Sequence, residues 1–375
     1  MKKVLMLAPN YYTSSFQVGS HHYARAFEKL GYQVAYISDP ISLLHTLFSN
    51  NDDYQKRKKI YKAEGIDSGS IWYYVPKACI VPQNKFILSS SFIMDHWHKF
   101  TRTRLVNILK SKGFDSVDIL WFDSPLFHFL LDEIKYKTSI LRLADYSKGL
   151  GVSDTHFNKE LEIGNRVDKI IYTSKSILSY YKDIINHNKM SYMPNGIDLN
   201  QFISCEKVLP KDLSLIPSPR VIYIGAIDKW FDIDLVCRSA LKYHHYSFVI
   251  IGKSHIDMSR LEKLSNIYIL GMRPHQEICN YLFHSDIAII PFKQNKFVDS
   301  INPLKLYEYL ASGLKVVSMK WKEIENMEEY CFLADTKEEF IKFLAMSEKQ
   351  NKNKKEEFLN QNSWDKKLKD ILEIV

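Results

Sequence analysis

Three consecutive segments, KVLMLA (Lys3–Ala8), SHHYARAFEKLGY (Ser20–Tyr32) and QVAYIS (Gln33–Ser38), decide the fold class. Val4–Ala8 is an unbroken apolar run, as expected of a strand covered on both faces in a parallel sheet. In the next segment Tyr23, Phe27 and Leu30 recur at i, i+4 and i+7, and Gly31 offers a C-terminal cap, so it predicts an amphipathic helix. Pro9–Gly19 is the loop between them. Strand, loop, helix and strand make the unit from which doubly wound sheets are built. The two lysines before the first apolar run imitate a signal peptide. The run is too short and lacks a cleavage region, so a buried strand is expected instead.

Working outward, the rhythm repeats. Further strands are expected at Ile71–Val75, Ile119–Phe122, Ser139–Leu143 and Lys169–Thr173. It restarts near residue 220, with RVIYIG (Arg220–Gly225), SFVIIG (Ser247–Gly252), Ile267–Leu270, Ile287–Pro291 and Lys315–Ser318 as strands and Asp232–Tyr243 as a helix. The Pro-rich stretch Asn195–Pro219 reads as the linker. The fold class expected is therefore α/β, with two Rossmann-like domains facing a cleft. The domains are expected at 1–200 and 201–355. The closing segment, 356–375, ends in a capped helix, Ser363–Val375, with Ser363 as its N-cap and Trp364, Leu368, Ile371, Leu372 and Val375 on one stripe.

The 375 residues suit two domains, and 46% apolar content with 13% aromatic content excludes a disordered chain. A net charge of +8 suits an anionic ligand or an anionic membrane surface. No zinc-finger, RRM or homeodomain pattern appears, so no nucleic-acid partner is expected. Cys79, Cys205, Cys237, Cys279 and Cys331 are odd in number and form no C-x-x-C pair, which reads as a reduced, cytoplasmic chain without disulfides. No apolar run reaches the length of a transmembrane helix. Two stretches break the rhythm: KRKKIYK (Lys56–Lys62) and FILSSSFIMDHWHKF (Phe86–Phe100). They read either as a solvated face and an ordinary core helix, or as a surface that touches anionic lipid. The second reading places the chain peripherally on the inner face of the plasma membrane.

The richest chemical signal is DSINPLKLYEYLASGLKVV, Asp299–Val317. Asn302 can cap a helix, and Pro303 suits its first position. With Leu304 they leave backbone N–H groups pointing at an anion. Lys305, in the first turn, is placed to meet a diphosphate. Glu308, one turn on, can accept hydrogen bonds from a ribose diol. As two isolated residues they would read as a surface ion pair.

The whole string resembles the donor-binding motif of family 4-type glycosyltransferases of the GT-B fold. The resemblance implies that Lys305 and Glu308 hold a nucleoside-diphosphate sugar. That family often has a second Glu eight residues upstream of the first motif Glu. Here Ser300 stands there, preceded by Asp299, which argues against a standard retaining site. YIGAIDKWFD (Tyr223–Asp232) resembles the segment opening the C-terminal domain of such enzymes, putting Gly225, Asp228, Lys229 and Trp230 at the cleft. Gly225 would let a ligand approach the backbone. His275 and Gln276 resemble the loop that packs near the base.

In the first half, ILRLADYSKGLG (Ile140–Gly151) puts Asp145 just past a strand's C-terminal end, where open α/β sheets bind ligands. It reads either as a turn cap or as a general base. The segment resembles the xanthan-type β-glucuronosyltransferases (family 70), in which the matching Asp is the proposed base of an inverting reaction. QVGSHHYA (Gln17–Ala24) resembles the same group and places Gly19, Ser20 and His22 on the acceptor side. The resemblance thus implies a glycosyltransferase. It would move a sugar from a nucleoside-diphosphate donor, UDP by base rate, to a saccharide or polyprenyl-linked saccharide acceptor in cell-surface polysaccharide synthesis. Capsule and lipopolysaccharide chains are the acceptors the family implies.

No cofactor is expected, and no metal, since no Asp-x-Asp motif stands where a cation site is expected. The alternatives are a sugar-nucleotide epimerase of the same architecture and a non-catalytic sugar-nucleotide-binding subunit. Incubation with a nucleotide sugar alone separates the first from a transferase. A Rossmann dehydrogenase would need a G-x-G-x-x-G after the first strand, which is missing.

Overall fold

The computed structural model describes residues 1–43, 52–85, 87–346 and 352–375. By internal packing the chain divides into two units, Met1–Pro194 with Leu368–Val375, and Asn195–Lys367.

The first unit is built on an eight-stranded sheet. In chain order its strands are β1 (Lys3–Ala8), β2 (Gln33–Ser38), β4 (Ile66–Ser68), β5 (Ile71–Tyr74), β7 (Ser116–Phe122), β8 (Lys135–Leu143), β9 (Lys169–Tyr172) and β10 (Met190–Tyr192). The order across the sheet is β10-β9-β8-β7-β1-β2-β5-β4. Every pairing is parallel except β4 with β5. A separate two-stranded piece joins β3 (Ile41–Ser42) to β6 (Lys77–Ala78). Central β1 runs Val4–Ala8 with no exposure at all, which is why its sequence is uniformly apolar. The helix after it, Gly19–Lys29, buries Tyr23 and Phe27 against Trp121 of β7.

The second unit holds a six-stranded parallel sheet, ordered β13-β12-β11-β14-β15-β16. Its strands are β11 (Arg220–Ile224), β12 (Ser247–Ile251), β13 (Ile267–Gly271), β14 (Ile287–Ile290), β15 (Lys315–Met319) and β16 (Phe332–Ala334). The core lies between this sheet and helices that include Ile233–Lys242 and Leu304–Ala311. Asp232 caps the first of these, accepting the Leu235 N–H at 3.0 Å.

Two sequence readings are corrected here. The Pro-rich stretch after residue 195 is not a bare linker: it carries a short helix, Leu199–Ile203, and buries Phe202, Leu213 and Ile216 in the second core. Cys205 and Cys279 are joined as a disulfide, with their Cα atoms 6.3 Å apart, although 74 residues separate them. Sequence spacing reports such a contact only when the fold is already known. Cys79, Cys237 and Cys331 are free.

Candidate active site

In parallel sheets, ligands collect where the strands end. In the second unit that edge is shaped by two glycines. Gly225 follows β11 with φ +146°, and Gly252 follows β12 with φ +151°. A Cβ on Gly252 would stand 1.9 Å from the Gly225 carbonyl oxygen, so only glycine lets these backbones pass.

Lys305 lies over the first of them. A Cβ on Gly225 would be 3.0 Å from Lys305 Cε and 3.3 Å from its Nζ. The ammonium is 4.6 Å from the Phe292 ring centroid and 5.5 Å from that of Tyr223, so two aromatic faces also hold it. Its helix, Leu304–Ala311, is anchored by Tyr309, whose hydroxyl accepts the Ile224 N–H at 2.8 Å. A strand end and a helix start are thereby fixed together around one cation.

The helix begins one residue later than the sequence reading places it. Pro303 is the N-cap residue and Leu304 the first helical one, with no side-chain cap. Asn302 does not cap because its amide is committed elsewhere. Its oxygen accepts the Asn195 N–H at 3.0 Å, and its nitrogen donates to Glu323 at 3.0 Å. Asn195 in turn donates to the Asn302 carbonyl at 2.8 Å. Asn302 therefore braces the loop that delivers Lys305.

Glu308, three residues on, sits 3.4 Å from Nε2 of His275, a contact that chain distance hides. Gln201 donates to the His275 carbonyl at 2.9 Å and steadies that turn. Asp228 is met by a second histidine, His255, 3.0 Å from its Oδ2. The carboxylate also accepts the Lys229 N–H at 2.6 Å. Ser300, eight residues before Glu308, is fully buried and donates to the Phe297 carbonyl at 2.6 Å.

In the first unit, β8 ends at Leu143 and Asp145 follows on a half-buried bend. Beneath it is a pairing that sequence reasoning missed. Arg142 and Asp123 form an ion pair at 3.2 Å with both side chains almost fully buried. Trp121 donates to the other Asp123 oxygen at 3.0 Å, and the Tyr23 ring lies 5.7 Å from the guanidinium. This explains Gly19: a Cβ there would fall 2.3 Å from Arg142 Nη2. Ser20 is buried and hydrogen-bonds Tyr36. His22 is buried with Nδ1 3.0 Å from Arg25 Nη2.

The edge holds one more acid. Asp39 follows β2, accepts a 2.5 Å hydrogen bond from Ser124, and is pushed up to about 7 by burial, with Ser124 and Arg57 opposing the shift. The signal for Asp39 and Asp123 was available in YISD and LWFD, apolar strands each closed by an aspartate.

Residues 6–173 match the family described as glucuronosyltransferase GumK, N-terminal domain, and residues 218–345 match glycosyl transferases group 1. The chain has the GT-B glycosyltransferase fold. It resembles GumK through its first half. TuaH of Bacillus subtilis, whose name assigns it to teichuronic acid biosynthesis as a glycosyltransferase, is 26% identical over 253 residues. That match covers 61% of this chain and 62% of TuaH, so the chain spans under two thirds of this relative. Among solved structures, the sucrose-phosphate synthase of Thermosynechococcus elongatus superposes with a TM-score of 0.65 at 13% identity, covering 98% of this chain and 92% of that one. An Escherichia coli trehalose-6-phosphate protein bound with UDP-2-fluoro glucose gives 0.68 at 11% identity, covering 99% and 98%. Anabaena HepE, in complex with UDP and glucose, gives 0.63 at 12% identity and full coverage of both chains. These three likenesses are likenesses of fold.

Proposed function

We propose that this chain transfers a sugar from a UDP-sugar to a hydroxyl of a saccharide acceptor carried on a polyprenyl lipid, during cell-surface polysaccharide synthesis. The observation that carries the reading is Lys305 laid across Gly225 at the strand ends of the second unit. A fixed cation beside open backbone suits a diphosphate. The name of TuaH supports a surface polymer, and the nucleotide bound by HepE supports uridine.

In this reading Lys305 offsets the negative charge that develops on the leaving diphosphate. Glu308 accepts hydrogen bonds from the ribose hydroxyls, and its contact with His275 fixes its orientation. Asp145 takes the proton from the acceptor hydroxyl. The hydroxyl oxygen bonds to the anomeric carbon as the carbon–oxygen bond to the diphosphate breaks, releasing UDP. Attack from the face opposite the diphosphate inverts the anomeric centre. Ser300, in place of the upstream Glu, supports inversion.

The test is a transfer assay with UDP-sugars and a polyprenyl-linked saccharide, read by mass spectrometry and by the anomeric proton coupling in NMR. Wild type forms product with an inverted linkage. Asp145→Asn loses turnover by roughly 100-fold or more while still binding UDP. Turnover close to wild type in that variant would remove Asp145 from the mechanism.

A further inference from the structure

The two stretches that broke the strand–helix rhythm fall to surface and core. KRKKIYK lies on helix Asp52–Lys62, which turns Tyr54 and Ile60 inward. In the other stretch Trp97 is fully buried and its indole donates to the Leu126 carbonyl at 2.8 Å; Phe86 lies outside the described residues. Among the described residues no helix is long and apolar enough to cross a membrane. A different departure from pattern stands behind Asp145.

Helix Asp154–Arg166 turns Phe157, Glu160, Ile163 and Gly164 inward. Three of these suit a buried stripe. Glu160 does not, because a carboxylate taken out of water costs free energy unless it is paired or hydrogen-bonded. Burial raises its pKa, and two hydroxyls oppose the rise. The Ser147 hydroxyl is shared between both carboxylate oxygens, at 2.8 and 2.6 Å. The Tyr181 hydroxyl, from helix Lys175–Tyr181, donates to one of them at 2.5 Å. Nearby cations are engaged elsewhere: Lys159 with Asp95 at 2.7 Å and Lys148 with Asp154 at 3.4 Å. A buried carboxylate is a poor source of stability beside an apolar side chain of its size, so the fold alone does not call for one here.

What Glu160 grips is the loop that carries Asp145. Ser147 is buried, stands two residues after Asp145 and opens the turn Ser147–Leu150. On the other side, Thr173 Oγ1, just past β9, donates to the Ala144 carbonyl at 2.5 Å. The Tyr146 ring stacks on that of Tyr180, with 4.2 Å between centroids. Asp145 is only half-buried, on a bend between these points. Its neighbours on both sides are thus fixed from below.

We propose that Glu160 is a positioning residue, which through Ser147 sets the loop that presents Asp145 to the acceptor hydroxyl. A general base must lie within hydrogen-bond reach of the proton it takes, and a displacement of about 1 Å costs roughly 100-fold in turnover. The catalytic part rests on the function proposed above; the tether on the loop does not.

The test uses Ser147→Ala and Glu160→Met, each alone and together. Hydrogen exchange read by mass spectrometry reports on the loop without any substrate. In wild type the Gly149 N–H donates to the Tyr146 carbonyl at 2.9 Å and the Gly151 N–H to the Lys148 carbonyl at 3.0 Å. Both single variants should exchange the amides of 145–151 roughly tenfold faster or more, with those of β9 unchanged. In the transfer assay kcat falls roughly tenfold to 100-fold while the KM for the UDP-sugar and the Kd for UDP stay at wild-type values, a split that general loss of folding would not produce. The double variant falls no further than Glu160→Met alone, because one tether is broken in each. Ser147→Ala, a change on the loop, carries the test if Glu160→Met fails to fold. Wild-type exchange in the loop of Ser147→Ala would overturn the proposal. So would faster exchange with unchanged kcat, or losses that multiply in the double variant. Turnover close to wild type in Asp145→Asn would sink the function instead, and the exchange result would then judge the tether alone.

Discussion

Gly225→Ala tests whether the glycine at the end of β11 serves a ligand as well as the fold. Its φ of +146° is a conformation that costs an L-residue about 1–3 kcal/mol. The new Cβ would stand 3.0 Å from Lys305 Cε and 3.3 Å from Nζ. The lysine stem is flexible, so the contact moves the ammonium and adds little to the stability cost. For a unit of this size each kcal/mol lowers Tm by roughly 2–4 °C, so the fall is about 2–12 °C. Gly313→Ala is the matched control. It also has positive φ, +74°, but nothing lies within 4 Å of its Cβ. Calorimetry gives Tm, and titration with UDP gives Kd. Both variants lose stability. Only Gly225→Ala loses UDP affinity, by roughly tenfold or more, the worth of one hydrogen bond to a charged group. Indistinguishable UDP affinities in the two variants would refute the reasoning.

Other expectations follow from the first unit. Asp123→Ala takes the carboxylate from the buried Arg142 guanidinium and should cost about 3–5 kcal/mol in chemical denaturation; a cost under about 1 kcal/mol would mean that water already compensates that charge. Asp39 gives a pH signature. The folded chain keeps its proton to about 7, whereas the unfolded chain releases it near 3.8. Between those values the folded state binds more protons, so stability falls as pH rises through the window. Asp39→Asn removes that dependence: its Tm should drop less than that of wild type between about pH 5 and pH 8. Equal drops in the two proteins would show that Asp39 titrates normally.

The sheets were legible in the sequence because their strands are covered on both faces and cannot hide their apolar runs. Val4–Ala8, Ser247–Ile251 and Ile287–Ile290 have no room for a polar residue with an unmet hydrogen bond. The strands not anticipated, such as β4, β6, β10 and β16, are two or three residues long, too short for any periodicity. Lys305 and Gly225 could be nominated from their local surroundings, since a glycine after a strand and a lysine in a first helical turn carry their own reasons. Their contact could not, because they stand 80 positions apart in the chain. The same limit hid His275 beside Glu308, His255 beside Asp228 and Asp123 beneath Arg142. Asn302 misled for a related reason: it has the chemistry of a cap, and only the fold reveals that Asn195 and Glu323 use that chemistry first.

The most direct measurement is calorimetric titration of UDP into wild type and Lys305→Ala, with circular dichroism to confirm that both are folded. The account predicts measurable UDP binding by wild type and a Kd raised roughly tenfold to 100-fold in the variant, with Tm little changed. Equal UDP affinity in the two proteins would contradict the assignment of Lys305 to the donor diphosphate.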